Sequence, residues 1–323
     1  MCTSDKIFKI HYWKHGRIGP YVVENPIILG HESAGIVKEV GAEVTGVKVG
    51  DRVTLEPGVG CNHCKPCRAG RYNLCSAMRF AATPPYDGTL QTSYVLPEEC
   101  VFKLPEQISL REGALVEPLS VAVHVCRLAG DVQGKSVAIF GAGPIGLLCS
   151  AVIRAFGAAS VVIVDIVDSR LASAGNYGAT NTYRMKQQSP EENAAEMISE
   201  TNQPDGFDVV IDATGAEPCI SCGVHGLKRG GVFVQAGLGG AKVEVAPICD
   251  KEATFKGSFR YGPGDYQMAI ELLSSKRVNV KDLITHEFVF ADSEKAFNNV
   301  AERQGIKTVI YGPGIDVEAA KTW

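Results

Sequence analysis

The chain has 323 residues, a net charge of −4, 45% hydrophobic residues and 21% charged residues, the composition of a globular protein of about two domains. No apolar run reaches the ~20 residues that cross a bilayer, and no basic segment followed by an apolar core opens the chain as a secretory signal. No basic stripe marks nucleic acid as a partner. Eleven cysteines, an odd number with four in one cluster, point to reduced thiols and a metal rather than a disulfide framework, and so to a cytoplasmic protein.

Residues 1–10 carry no clear pattern. Ala34 to Gly41 alternates as a strand does, and Val47 to Val53 reads as a turn and then a strand. Just before them, His31 and Glu32 stand in a stretch that otherwise avoids polar residues. A cysteine-rich loop follows from Pro57 to Cys75, with Cys61, Cys64, Cys67 and Cys75 spaced C-x2-C-x2-C-x7-C. Four thiolates at this spacing close on one ion and leave no open position, which describes structural zinc. An iron–sulfur centre uses the same donor set. Zinc is favoured because the cofactor motif described next needs no electron relay. His63, inside the loop, is expected to face solvent.

Thr92 to Leu104 holds two more strand-like runs. Leu110 to Leu128 reads as a helix interrupted at Gly113 and Pro118, with Glu117 set between Val116 and Pro118. A carboxylate in such an apolar run needs a partner, or it neutralises. His31, Glu32 and Glu117 are therefore candidates for a second site that spacing alone does not join. His124, seven residues after Glu117 on the same helical face, reads as a core histidine.

From Ser136 to about Phe259 strand and helix alternate. Strands are expected near 136–140, 160–165, 207–212 and 231–236, and helices near 144–156, 168–177, 189–200 and 216–227. This is the grammar of a doubly wound parallel sheet. The first strand runs into Gly141, Gly143 and Gly146, spaced G-x-G-x-x-G. These glycines allow a tight turn, close approach of a pyrophosphate and close helix–strand packing. The pyrophosphate would rest on the helix N-terminus. Asp165 ends the second strand about 20 residues later, placed to accept hydrogen bonds from the ribose of NAD and to repel the 2′-phosphate of NADP. Beyond Phe259, Tyr266 to Ser275 and Ser293 to Ala301 read as helices, with Leu283 to Phe290 between them, and Lys307 to Tyr311 as a last strand.

The fold class is thus α/β, a central doubly wound (Rossmann) sheet over 120–258. It is inserted between β-rich flanks, 1–119 and 259–323, that fold together as one discontinuous domain. A ligand is expected in the cleft between domains.

Several motifs together resemble the zinc-dependent medium-chain dehydrogenases. They are H-E-S-A-G from His31, G-D-R-V from Gly50, the four-cysteine loop, E-P-L-S from Glu117 and the glycine fingerprint. The polyol branch, with its sorbitol and xylitol dehydrogenases, is the nearer match. It is carried by His11 to Trp13, Phe80 to Thr89 and Gly257 to Tyr261. Gly262 to Tyr266 and Tyr311 to Pro313 are most similar to the fungal type of xylitol dehydrogenase.

The resemblance implies a GroES-like catalytic domain, a catalytic zinc beside the structural one, and NAD as hydride acceptor for a secondary alcohol of a polyol. It implies His31, Glu32 and Glu117 at the catalytic zinc, and Tyr12, Phe80, Thr83, Arg260 and Tyr261 around the polyol. Ile145, Asp165 and Arg170 would line the NAD site, with Ala236, Gly237 and Leu238 at the nicotinamide half, and the enzyme would be a tetramer.

The family's remaining zinc ligand is a cysteine in a C-G-S-D motif whose serine relays a proton. Aligned back from His11, that cysteine position falls on Lys6, which has no lone pair to donate. Cys2 to Asp5 resembles the motif four residues early, so Cys2 and Ser4 are the candidates, and the chain reads as truncated or divergent at its start. The alternatives are sorbitol or L-arabinitol as substrate, a zinc-free NADPH-dependent enone reductase, or an inactive NAD-binding remnant without the catalytic zinc.

Overall fold

Val137–Phe140, Val161–Val164 and Val209–Ile211 are at most 1% exposed, as strands covered on both faces must be. In a computed structural model of the chain, which describes residues 2–4, 8–19, 21–315 and 317, they form the centre of a six-stranded sheet. Its order is Asn181–Arg184, Ser160–Asp165, Ser136–Phe140, Phe207–Asp212, Leu227–Gln235, Thr254–Gly257. Every neighbouring pair is parallel. Counted along the chain this is 3-2-1-4-5-6, the doubly wound order. Its two outer strands were not among the four expected. Both lie at the edge, where one flank meets solvent. Asn181, Thr182 and Arg184 are exposed, as are Thr254 and Phe255, so neither makes the unbroken apolar run that marks a central strand.

The helices follow the expected pattern closely, with start signals that work. Pro144 opens Pro144–Ala155 with Gly143 as its N-cap, where a missing N–H costs nothing. Ser189 and Glu192 form a capping box before Pro190–Glu200. The segment expected to be helical over 168–177 instead divides into Asp168–Leu171 and a 3-10 turn, Ala174–Tyr177. Gly175 and Asn176 are poor helix formers, and Gly178 ends the turn at φ 83°.

These strands and helices lie in one compact unit, residues 121–261 with 277–279; the other comprises 1–120, 262–276 and 280–323. The second unit's largest sheet runs Ile284–Phe288, Lys307–Ile310, Cys2–Ser4, Glu32–Ile36, Arg52–Leu55, Val101–Lys103. Cys2–Ser4 thus pairs with a strand some 300 residues later in the chain, with Cys2 opposite both Ile310 and Ser33. The helix Asp265–Ser274 belongs to the same unit. Tyr266 stacks on Phe102 at 5.1 Å and its hydroxyl donates to the Leu55 carbonyl at 3.0 Å.

Three expectations are corrected here. The strand from Glu32 stops at Ile36, and the continuation to Gly41 is loop. Of the two runs in 92–104 only Val101–Lys103 is a strand; Thr92–Leu96 joins no sheet, and Pro97 follows it. The helix expected over 110–128 is interrupted at Gly113, as expected, into Leu110–Gly113 and Val116–Leu128, but not at Pro118. Gly113 explains the break: a Cβ there would stand 2.4 Å from Leu104 Cδ1, and its carbonyl accepts from Thr54 Oγ1 at 2.8 Å. Pro118 is no interruption, because it falls in the first turn of the second helix.

Candidate active site

His31, Glu32 and Glu117 come together in the unit that comprises 1–120, 262–276 and 280–323. Each offers a ligand atom, and these atoms lie within 4.8 Å of one another. His31 is 7% exposed, Glu32 1% and Glu117 5%. The backbone before His31 is fixed by a second segment: Thr89 N–H donates to the Gly30 carbonyl and Gly88 N–H to Ile28, both at 2.7 Å. Gly88 must be glycine, since a Cβ there would meet the Gly30 oxygen at 2.3 Å. The His31 ring then rests against Phe80, centroids 5.6 Å apart. Glu32 opens the strand that follows. Glu117 lies in the first turn of Val116–Leu128, where the helix dipole favours a negative charge. One imidazole and two carboxylates, all buried, form a donor set that suits zinc with a position left open.

Glu32 has a partner that sequence reasoning did not find. Lys307 Nζ donates to Glu32 Oε1 at 2.6 Å and to Oε2 at 2.7 Å, and the two side chains are 2% and 1% exposed. The available signal was a lysine opening the apolar run from Lys307 to Ile310, all four residues buried. A buried ammonium requires a nearby anion.

The four cysteines also gather. The Sγ atoms of Cys61, Cys64, Cys67 and Cys75 lie within 4.8 Å of one another. Backbone N–H groups point at the sulfurs: Cys64 N donates to Cys61 Sγ at 3.4 Å, and Cys61 N to Cys75 Sγ at 3.5 Å. The N–H groups of His63 and Cys64 bring the Cys61 thiol down to about 6, whereas at Cys64 the Cys67 N–H lowers the thiol but burial and the neighbouring sulfurs outweigh it and push it up to about 12; clustered thiols lose their protons together when a cation offsets the charge. His63 is exposed, as expected. The lobe is tied to the sheet through Tyr72, whose hydroxyl donates to Glu56 Oε1 at 2.5 Å. Burial pushes the Glu56 carboxyl up to about 7 against that bond, and Asp265 adds to the rise.

In the other unit the glycine turn has the form the fingerprint requires. Gly141 sits at φ +100°. A Cβ on Gly146 would lie 1.8 Å from the Gly141 oxygen, whereas one on Gly143 would meet nothing within 4 Å. The turn is therefore closed on its protein side and open at Gly143, the form that the dinucleotide fingerprint predicts. Asp165 accepts from Ala142 N at 2.8 Å and from Val167 N at 3.0 Å, with Arg170 NH1 at 3.8 Å. The carboxylate thus braces the turn. Asp212, fully buried, does similar work at the other half. It accepts from Thr214 Oγ1 at 2.6 Å, Gly215 N at 2.7 Å and Gln235 Nε2 at 2.5 Å. Its carbonyl accepts from Ala236 N and Gly237 N at 2.8 Å. A Cβ on Gly237 would stand 2.1 Å from Gly215 N, so the two loops interlock through glycine backbones.

Comparison with known proteins agrees with this geometry. Residues 1–106 match the model of the alcohol dehydrogenase GroES-like domain, and residues 144–275 that of the zinc-binding dehydrogenases. A probable D-xylulose reductase A of Neosartorya fischeri is 55% identical over 97% of this chain and 87% of that one. The D-xylulose reductase A of Aspergillus niger is 52% identical over the same shares. The chain belongs to the zinc-dependent medium-chain dehydrogenases, in their polyol branch. Among solved structures, L-idonate 5-dehydrogenase of Escherichia coli superposes with a TM-score of 0.87 at 28% identity, over 96% of this chain and 89% of that one.

In this dehydrogenase the other expected site residues divide between the units. Tyr12, buried in the helix Phe8–His15, Phe80 and Thr83 belong to the GroES-like unit. Arg260 and Tyr261 belong to the Rossmann unit. Arg260 holds φ +56°, a conformation rare outside glycine, and its guanidinium lies 4.8 Å from the Phe259 ring centroid. Tyr261 is 1% exposed. Ile145 lies in the first turn of its helix, and Leu238 is 55% exposed beyond the strand that ends at Gln235. His124 is half-buried on Val116–Leu128. The backbones of Cys2 and Ser4 occupy a strand beside Glu32; their side chains, and Lys6, lie outside the described residues. Among the described residues no helix is long and apolar enough to cross a membrane.

Proposed function

We propose that this dehydrogenase interconverts xylitol and D-xylulose, with NAD as the hydride acceptor and zinc at two sites. The observation that carries the reading is the buried set His31, Glu32 and Glu117, in a chain more than half identical to D-xylulose reductases. His31, Glu32 and Glu117, with Cys2 as the further donor, would hold the catalytic ion, and Cys61, Cys64, Cys67 and Cys75 the structural one. A catalytic zinc supplies Lewis acidity, which lowers the pKa of an alcohol so that its proton leaves near neutral pH. Ser4 would pass that proton toward solvent. Tyr12, Phe80, Thr83, Arg260 and Tyr261 would hold the polyol, the five fixed donors of Arg260 suiting a row of hydroxyls. Gly141, Gly143, Ile145 and Gly146 would seat the pyrophosphate, with Ala236, Gly237 and Leu238 at the nicotinamide.

The same reading includes a homo-oligomer, a tetramer by family resemblance, acting in the cytoplasm. The test is NADH formation by the zinc-loaded protein with xylitol, sorbitol and L-arabinitol compared by kcat/KM. Xylitol is expected to lead. Absence of NAD reduction with all three ends the reading.

Asp165 carries the cofactor choice. Asp165→Ser removes the carboxylate from the ribose position and its bond to Ala142. Charge-assisted hydrogen bonds are worth about 1.5–3 kcal/mol, so the Kd for NAD is expected to rise about 10- to 100-fold, while NADP gains relative to NAD beside Arg170. Titration of both cofactors by fluorescence checks it. An unchanged preference would remove the argument from Asp165.

A further inference from the structure

Lys307 and Glu32 stand on strands separated by Cys2–Ser4, a gap of about 10 Å that two long side chains close. The ammonium contacts both carboxylate oxygens almost equally, at 2.6 and 2.7 Å. A carboxylate has about four lone-pair sites. An ammonium set on both oxygens takes up part of that capacity, so an ion beside His31 and Glu117 would share Glu32 with it. The same cation withdraws electron density from Glu32 and shares its charge with any metal there.

We propose that Lys307 is a positioning residue for the metal site, holding Glu32 in place and weakening it as a donor so that the ion stays exchangeable and open. This deepens the metal-site reading of His31, Glu32 and Glu117 and rests on it. A merely structural lysine and a donor-weakening one make opposite predictions. Loss of a structural tie loosens the site, and the ion leaves faster. Loss of a competing cation gives Glu32 wholly to the ion, and the ion leaves more slowly.

The experiment uses the full chain loaded with Zn2+ and follows zinc release to a chelator with a colorimetric zinc indicator. The phase belonging to this site is the one that Glu32→Gln accelerates, which separates it from release by the four thiolates. In that phase Lys307→Met is expected to slow release at least about tenfold, whereas Lys307→Arg, which keeps the charge, stays within about threefold of the parent. In a Glu32→Gln background Lys307→Met is expected to change release less than twofold, since the two residues act as one pair. Metal-free Lys307→Met leaves Glu32 buried beside no ammonium, so it is expected to fold only with Zn2+ present. Failure to fold at saturating Zn2+ overturns the proposal. So does release that is unchanged or faster in Lys307→Met, or an equal effect in the Glu32→Gln background. If no phase responds to Glu32→Gln, the metal-site reading itself falls; if that phase exists and ignores Lys307, only the role of Lys307 falls.

Discussion

His31→Ala is expected to lower kcat on xylitol by at least about 10³-fold while the protein stays folded. A metal's charge stabilisation is worth several kcal/mol, and each 1.36 kcal/mol is tenfold in rate. His31 is the one imidazole in the set, and without it the ion is left with Cys2 and two carboxylates, one of them already held by Lys307. The structural cost is smaller: an imidazole is lost from its contact with Phe80, a cavity of the kind that costs about 1–3 kcal/mol. Zinc content should fall by one ion per chain, and NADH binding should persist, because the glycine turn belongs to the other unit. The checks are kcat, metal analysis and NADH fluorescence on one sample. A folded His31→Ala protein with parental turnover would refute the catalytic-metal assignment outright.

What the sequence made legible follows a physical rule. Val137–Phe140, Val161–Val164 and Val209–Ile211 could be read because burial on both faces demands unbroken apolar runs. The glycine turn and the four cysteines could be read because each places its whole chemistry within a short stretch. The edge strands Asn181–Arg184 and Thr254–Gly257 could not, since half-exposed strands carry no such run. His31, Glu32 and Glu117 showed themselves only as polar residues out of place. Their meeting depends on a helix some 85 residues downstream of the strand, so the resemblance and not the spacing joined them. Lys307 was missed for the same reason, being 275 residues from Glu32. Asp165 shows another gap: at a strand end it reads as a ligand contact, yet it also braces the glycine turn, and Asp212, which the sequence did not single out, braces the loop at Gly215 in the same way.

The four-cysteine lobe gives the second large effect, and it separates stability from chemistry. Structural zinc contributes folding free energy of order 10 kcal/mol in small domains, and the lobe has little else to hold it: its helical turn Lys65–Arg68 buries no residue. Cys64→Ser is expected to lose one zinc per chain and about 3–5 kcal/mol of stability, a fall in Tm of roughly 10 °C at this size. Proteolysis should open between Cys61 and Cys75 first. Cys100→Ser is the control. Cys100 is buried outside the cluster, and burial, with Glu56 and Glu99, pushes its thiol up to about 12; it is not among the four sulfurs that gather. Its replacement should keep both zinc ions and cost about 1 kcal/mol. The metal of the lobe stands apart from His31, so whatever Cys64→Ser protein remains folded should turn over xylitol at near the parental rate per molecule. If Cys64→Ser keeps two ions and the parental Tm, the lobe is not a metal site. If its folded fraction is inactive, the four thiolates do more than hold the loop.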